Sequence, residues 1–255
     1  ISIKSPKNAY WNQSSVPINI STSTKVYSWT YAYNQVNQSF TPNTSLSLEE
    51  GNGNITLRAR YANKKFKTLY RDLVIDLSQP DLNEVTINDG EYVSGIKDIN
   101  GSAGDSISEV NSSKFTISNG SQVKSGKLNT SIDSTSYSPG QYQISYFFTD
   151  KAGNILEKTA EFWIDNKKPE IHTNISQREN LSSSSQKVSL NFSEEVSGKY
   201  SIDEETNQSF KDKISLTNLS QGNHSLEIWA EDKAGNTARD SVEFTVDLTK
   251  PEINT

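Results

Sequence analysis

Gly140-Gln-Tyr-Gln-Ile-Ser-Tyr-Phe-Phe-Thr-Asp-Lys-Ala-Gly-Asn154 is followed by Ile155-Leu-Glu-Lys-Thr-Ala-Glu-Phe-Trp-Ile-Asp-Asn-Lys-Lys-Pro169, and these thirty residues decide the fold. Tyr142, Ile144, Tyr146 and Phe148 take every second position, the period of a strand with one face inward. Asp150-Lys-Ala-Gly-Asn154 then reads as a hairpin turn, with Gly153 at the positive-φ position of a type I turn closed by a G1 bulge. A second alternating run carries Phe162 and Ile164. Asp165-Asn-Lys-Lys-Pro169 ends it, because proline has no N–H to give a ladder and marks a crossing into the next unit.

The same phrase recurs along the chain. The pattern D-x-x-x-P occurs at Asp76–Pro80, Asp165–Pro169 and Asp247–Pro251, at intervals of 89 and 82 residues. The turn recurs as Asp232-Lys-Ala-Gly-Asn236, while the first copy has Tyr61-Ala-Asn-Lys-Lys65 in its place. A glycine opens the strand before each turn, at Gly51, Gly140 and Gly222. Val16–Ser21 and Val188–Ser193 match as early core strands, and Asn37-Gln-Ser-Phe40 returns word for word as Asn207-Gln-Ser-Phe210. The middle copy is less regular upstream, where Gly95, Gly101 and Gly104 suggest loops between short strands. Units of roughly 80–90 residues with frequent turns fit a seven-stranded sandwich. The reading is all-β: three tandem immunoglobulin-like β-sandwich domains at 1–79, 80–168 and 169–250, with 251–255 opening a following unit. No stretch sustains a 3.6-residue period, so almost no helix is expected.

Composition agrees. Apolar residues make up 32% of 255, against about 45–50% in ordinary domains. Several thin cores of alternating strands are easier to build from that supply than one large core. Net charge is −6, and no Lys/Arg cluster forms a stripe suited to phosphate, so nucleic acid is not an expected partner. There is no cysteine, hence no disulfide and no thiolate metal site, which points toward a prokaryotic surface protein. No apolar run approaches the ~20 residues of a membrane span. The chain reads as a piece of a longer array.

The phrase from Gly140 to Pro169, with its counterpart from Gly222 to Pro251 and a weaker one from Gly51 to Pro80, resembles bacterial and archaeal immunoglobulin-like surface repeats. Val93-Ser-Gly95 and Ser193-Glu-Glu-Val-Ser-Gly198 are further family-like phrases. The resemblance implies an extracellular, non-enzymatic protein of the cell surface, such as an archaeal S-layer or fibre segment. Its partners would be copies of itself or other cell-surface proteins. An adhesin stalk, a carbohydrate- or protein-binding module, and the spacer of a secreted enzyme are the alternatives.

Asn-x-Ser/Thr occurs fifteen times, at Asn12, Asn19, Asn37, Asn43, Asn54, Asn100, Asn111, Asn119, Asn129, Asn174, Asn180, Asn191, Asn207, Asn218 and Asn223. Ser and Thr total 59, so roughly six of the 25 asparagines would qualify by chance. Strand alternation points Asn19, Asn54 and Asn191 outward, as a bulky acceptor requires. Heavy N-glycosylation is therefore expected, and it favours an archaeal surface glycoprotein.

Catalytic chemistry finds little support. The two histidines, His172 and His224, are 52 residues apart, and His224 is in phase with inward Leu226 and Ile228, the pattern of a structural residue. Glu49-Glu50, Glu194-Glu195 and Glu204-Glu205 read as solvated loop charge, since adjacent strand residues face opposite ways. Calcium at the joints is the weightier possibility, with Asp76, Asp165 and Asp247 as candidates and no other cofactor expected. One carboxylate per joint falls short of six to eight oxygens, so Asp81, Glu84 and Glu170 are the expected helpers. Asp150 and Asp232 lie at the other end of the final strand, away from the joint aspartate of their own unit. Trp163 and Trp229 are out of phase with the core and face outward, where packing or sugar stacking would employ them.

Overall fold

A computed structural model of the chain describes every residue except Asn8, Lys211, Asp212 and Ile253–Thr255. Part of the expected opening of a following unit at 251–255 thus lies outside the described residues. The first sandwich has strands β1 (Ser2–Ser5), β2 (Ala9–Trp11), β3 (Ser15–Ser21), β4 (Ser28–Tyr33), β5 (Val36–Ser39), β6 (Thr44–Ser47), β7 (Gly51–Arg60) and β8 (Phe66–Ile75). The middle one has β9 (Asp81–Val85), β10 (Glu91–Val93), β11 (Ile96–Ile99), β12 (Gly101–Gly104), β13 (Val110–Ser118), β14 (Val123–Lys127), β15 (Thr130–Asp133), β16 (Gly140–Asp150) and β17 (Ile155–Ile164). The third has β18 (Ile171–Thr173), β19 (Glu179–Leu181), β20 (Gln186–Phe192), β21 (Val196–Ile202), β22 (Gln208–Phe210), β23 (Lys213–Leu216), β24 (Gly222–Asp232) and β25 (Thr237–Val246). Among the described residues the one helical turn is 3-10, at Ser134–Ser136.

One topology serves all three. A small sheet, β1-β3-β6, faces a five-stranded sheet, β2-β8-β7-β4-β5. The third sandwich repeats this as β18-β20-β23 and β19-β25-β24-β21-β22. In the middle one the small sheet is split into β12-β9 and β11-β15, opposite β10-β17-β16-β13-β14. The split puts Gly101 and Gly104 inside a strand rather than in the expected loops. Cα packing divides the chain into two compact units, one of Ile1–Asn88, Asp98–Thr130 and Gln143–Ala160, the other of Asp89–Lys97, Ser131–Tyr142 and Glu161–Thr255.

Each core follows from strand alternation. Ile55, Leu57 and Ala59 on β7 are fully buried against Val16 and Ile18 on β3, and Leu226 and Ile228 on β24 share a core with Val188 and Phe244. Each such side chain contributes about 1.5–3 kcal/mol on burial. The repeated Asn-Gln-Ser-Phe words close the edge of the large sheet. Tyr31 Oη donates to Gln38 Oε1 and Tyr200 Oη to Gln208 Oε1, both at 2.8 Å. Phe40 meets Trp29 and Tyr31 edge-on, and Phe210 stacks on Phe192.

A short parallel pairing sets the joints. β2 runs parallel to β8, β10 to β17 and β19 to β25. The last bond of each ladder comes from the joint aspartate: Asp76 N–H to the Trp11 carbonyl (2.8 Å), Asp165 to Val93 (3.0 Å) and Asp247 to Leu181 (2.8 Å).

Candidate functional site

The D-K-A-G-N turns do more than close their hairpins. Asp150 Oδ1 accepts from the N–H groups of Gly153 and Asn154 at 2.6 and 2.9 Å, so the aspartate organises its own loop. Asn154 then reaches outward: its Nδ2 donates to Asp150 Oδ2 at 2.8 Å and to the Asp76 carbonyl oxygen at 2.9 Å. The turn of the middle sandwich thereby clasps the joint aspartate of the first. Asp232 repeats this, accepting from Ala234 and Asn236 N–H, while Asn236 Nδ2 bridges Asp232 Oδ2 and the Asp165 carbonyl, both at 2.9 Å. Ser94 Oγ donates to the Oδ1 of Asn236 and fixes that amide's orientation.

This clasp brings carboxylates together. One oxygen each from Asp76, Asp105 and Asp150 lies within 4.8 Å of the others, and so do oxygens of Asp165, Glu194 and Asp232. Asp150 and Asp232, expected to stand apart from the joint aspartate of their own unit, join that of the preceding one. Asp81 and Glu84 are exposed on or beside β9 and lie outside the cluster; Glu170 is exposed and pairs with Lys167 at 2.9 Å. Glu194 corrects the solvated-charge reading, since it is partly buried in the second cluster, whereas its neighbour Glu195 is exposed and pairs with Lys233 at 2.7 Å. Asp247 accepts from Thr249 N–H (2.9 Å) and Gln221 Nε2 (3.3 Å).

In the second cluster Lys167 is the neighbouring cation, and it lowers the Glu194 pKa less than burial, Asp165 and Asp232 raise it. Asp76 is fully buried; its Oδ1 accepts from Ser78 N–H and Oγ, and its buried Oδ2 has no hydrogen-bond donor. Burial works to raise the pKa of Asp105, but the N–H groups of Ser108 and Ile107 outweigh it and hold the carboxyl below the usual range. Glu194 moves the other way, raised by burial first and then by the charges of Asp165 and Asp232. Two unit charges at such a spacing repel by on the order of 3 kcal/mol at the effective dielectric of a protein surface. An all-oxygen donor set with no imidazole or thiolate suits a hard divalent cation, calcium or magnesium, with water filling the remaining positions.

The other sequence candidates fall elsewhere. Trp163 does face out of the core, stacked on Tyr92 at 5.4 Å between ring centres. Trp229 lies between the Lys199 ammonium (5.5 Å) and the Arg239 guanidinium (5.3 Å). His172 is exposed beside Glu170, and His224 is buried. Fourteen of the fifteen sequon asparagines are exposed, and Asn100 is half-buried.

No family model and no curated protein matches the chain. Among solved structures it is similar to immunoglobulin- and fibronectin-like repeats of surface and adhesion proteins. The fibronectin(III)-like modules of Clostridium thermocellum CbhA are 18% identical at a TM-score of 0.39, over 69% of this chain and 100% of that one. A tetra-tandem repeat in the extending region of a large adhesion protein is 17% identical (TM-score 0.33, 97% and 74%). A Ca²⁺-stabilized adhesin with which an Antarctic bacterium reaches out and binds ice is 14% identical (TM-score 0.35, 97% and 73%). All these scores lie below 0.5, and the fold assignment rests on the strand pairing above.

Proposed function

We propose that the chain is a non-catalytic strut of a cell-surface protein, in which a divalent cation locks each joint between successive sandwiches. The observation that supports it most is the repeated clasp: an asparagine from one sandwich holds the joint carbonyl of the previous one beside three carboxylates, and at the first joint Asp76 has a buried oxygen with no donor. Asp76, Asp105 and Asp150 would hold one ion, and Asp165, Glu194 and Asp232 the other. The ion neutralises charge that otherwise pushes the joint apart, and so couples successive sandwiches. The strut belongs to a surface adhesin or to a lattice such as an S-layer; the outward sequons favour a glycosylated surface protein in either setting.

Two measurements test this. Calcium titration by calorimetry should detect two sites. Saturating calcium should protect the joints from chymotrypsin after Leu77, which is 48% exposed, and from trypsin after Lys167. Cleavage that is indifferent to calcium would overturn the cation lock. Antibodies to the chain should label intact source cells; labelling only after permeabilisation would overturn the surface placement.

A further inference from the structure

The first sandwich ends in a hairpin that is not built like the other two. Tyr61 N–H donates to the Lys65 carbonyl at 3.0 Å, as Asp150 does to Asn154 and Asp232 to Asn236 at 3.1 Å, so Tyr61 and Lys65 stand where the clasping Asp and Asn stand elsewhere. The acidic clasp has been exchanged for an aromatic ring and a cation. Residues 1–79 hold nine Lys and Arg against four Asp and Glu, whereas the whole chain holds 25 against 31. The stretch from Gly51 to Arg71 contains no carboxylate at all.

Folding gathers that charge. Arg58, Arg60, Lys64, Lys65 and Lys67 are exposed at the hairpin, and exposed Lys25 borders the same groove. Tyr27 N–H donates to the Arg60 carbonyl at 2.7 Å and ties the opposing loop down. Five of these six cations come from the single run Arg58–Lys67, and folding adds Lys25 to them. Among the described residues the ion pairs all involve cations beyond residue 90, so these charges are not answered by neighbouring carboxylates.

Apolar surface lies beside the charge. The groove, of about 590 Å³, is lined by Lys25, Tyr61, Lys65, Phe66 and Lys67. Phe66 and Tyr70 are 50% and 60% exposed. The register pairs Arg60 with Phe66, Arg58 with Thr68 and Thr56 with Tyr70, which puts both rings on the outer face of the sheet with the two arginines. The Arg58 guanidinium sits 3.7 Å over the Phe66 ring centre.

We infer that this end of the hairpin, with the groove and the ring-bearing face that meet there, binds a linear anionic polysaccharide. The cations meet its carboxylate or other acidic groups, and the exposed rings lie against the flat faces of its sugars, a groove-and-platform arrangement that tolerates a long repetitive ligand. The choice of a polysaccharide rests on the surface placement proposed above, but the site uses none of the joint residues.

The test uses the whole chain and polygalacturonate as probe, with dextran and single-stranded DNA beside it, in chelator and at low and high salt. Polygalacturonate should bind, dextran should not, and raising salt from 50 to 300 mM should weaken binding as the charges are screened. Lys65→Glu combined with Lys67→Glu should weaken it at least about tenfold, and Phe66→Ala should do so without changing the far-ultraviolet dichroism. No binding, equal binding of dextran, tighter binding of DNA, or salt-dependent self-association that the double variant abolishes would each overturn the inference. Because chelator is present throughout, failure here leaves the joint cations untouched, and success does not depend on them.

Discussion

Asn154 Nδ2 lies 2.9 Å from the main-chain carbonyl oxygen of Asp76, and Asn236 Nδ2 lies the same distance from that of Asp165. The two bonds cross from one sandwich to the one before it, between residues 78 and 71 positions apart, and each uses an asparagine already fixed by its own turn. Asn236→Ala leaves the Asp165 carbonyl and the Asp232 carboxylate without that donor. It should destabilise by about 1–3 kcal/mol, the cost of a part-buried acceptor left unsatisfied. Urea unfolding of the single variant measures this, and an unchanged midpoint would show the clasp to be idle.

Asp76→Asn tests the charge at the first joint through its sign. In chelator the amide removes one of three like charges and brings an N–H₂ to the donorless position. Thermal stability should therefore hold or rise. In calcium the same change removes a ligand, and stability gained from the ion should fall by about 1–3 kcal/mol if affinity drops ten- to hundredfold, with the ion well above both dissociation constants. Melting curves of wild type and variant should cross between the two conditions. Parallel shifts would mean that no cation is held.

Glu194 gives the second joint its own pH dependence. Its folded pKa is raised above the ordinary 4.5 by burial and then by Asp165 and Asp232. For a raised carboxyl, the contribution to stability is fully present below the unfolded value and is lost as pH rises through the folded one. Cation-free protein should thus lose stability above about pH 4.5, and Glu194→Gln should flatten that slope. Calcium should reverse it by holding the ionised form. A slope unchanged in Glu194→Gln would assign the titration elsewhere.

Gly198 shows how closely the third sandwich is packed beneath Trp229. A Cβ added there would lie 2.3 Å from the Phe210 ring and 2.6 Å from the Trp229 carbonyl oxygen. The ring can turn, but the carbonyl belongs to the neighbouring strand of the ladder, where Gly198 faces Ala230 and Lys199 faces Trp229. Gly198→Ala should cost about 1–3 kcal/mol through overpacking. Gly120→Ala, where a Cβ has no neighbour within 4 Å but φ is +85°, separates that steric cost from backbone strain. Equal losses in both would reject the packing account.

Much of the fold was legible because its signals are local. Alternation placed the inward residues of β7, β16 and β24 correctly, and Gly51, Gly140 and Gly222, which open these strands, all adopt positive φ. The candidate site was legible only in part. The D-x-x-x-P and D-K-A-G-N phrases were visible, yet nothing local pairs Asp150 with an aspartate 74 positions earlier; that follows from how one sandwich follows another. Asp105 and Glu194 carry no shared phrase, so Glu194 looked like ordinary loop charge until burial distinguished it from Glu195. The basic hairpin of the first sandwich was visible as the run Arg58–Lys67, and only the groove that Lys25 completes needed the fold.

His224 was read from its phase as a structural residue, and its surroundings favour the protonated ring. Its Nδ1 lies 2.6 Å from Asp203 Oδ2 and its Nε2 2.9 Å from the Ser220 carbonyl, so both ring nitrogens face acceptors and the doubly protonated form satisfies both. The ring stacks on Phe244, and Arg178 and Glu243 line the groove beside it. Burial works to lower its pKa, but the Ser220 carbonyl and the Asp203 carboxylate outweigh it, and the imidazole is held above 6.5. Stability from this group is therefore fully present below pH 6.5 and is lost as pH rises through the folded value. Unfolding of the intact chain should need less urea at pH 9 than at pH 5.5 on this account. Asp203→Asn should remove about 1.5–3 kcal/mol at the lower pH and much less at the higher, with the His224 ring resonance titrating at a lower pH in the variant. A ring that titrates at the same pH with and without the carboxylate would show that Asp203 does not hold the proton.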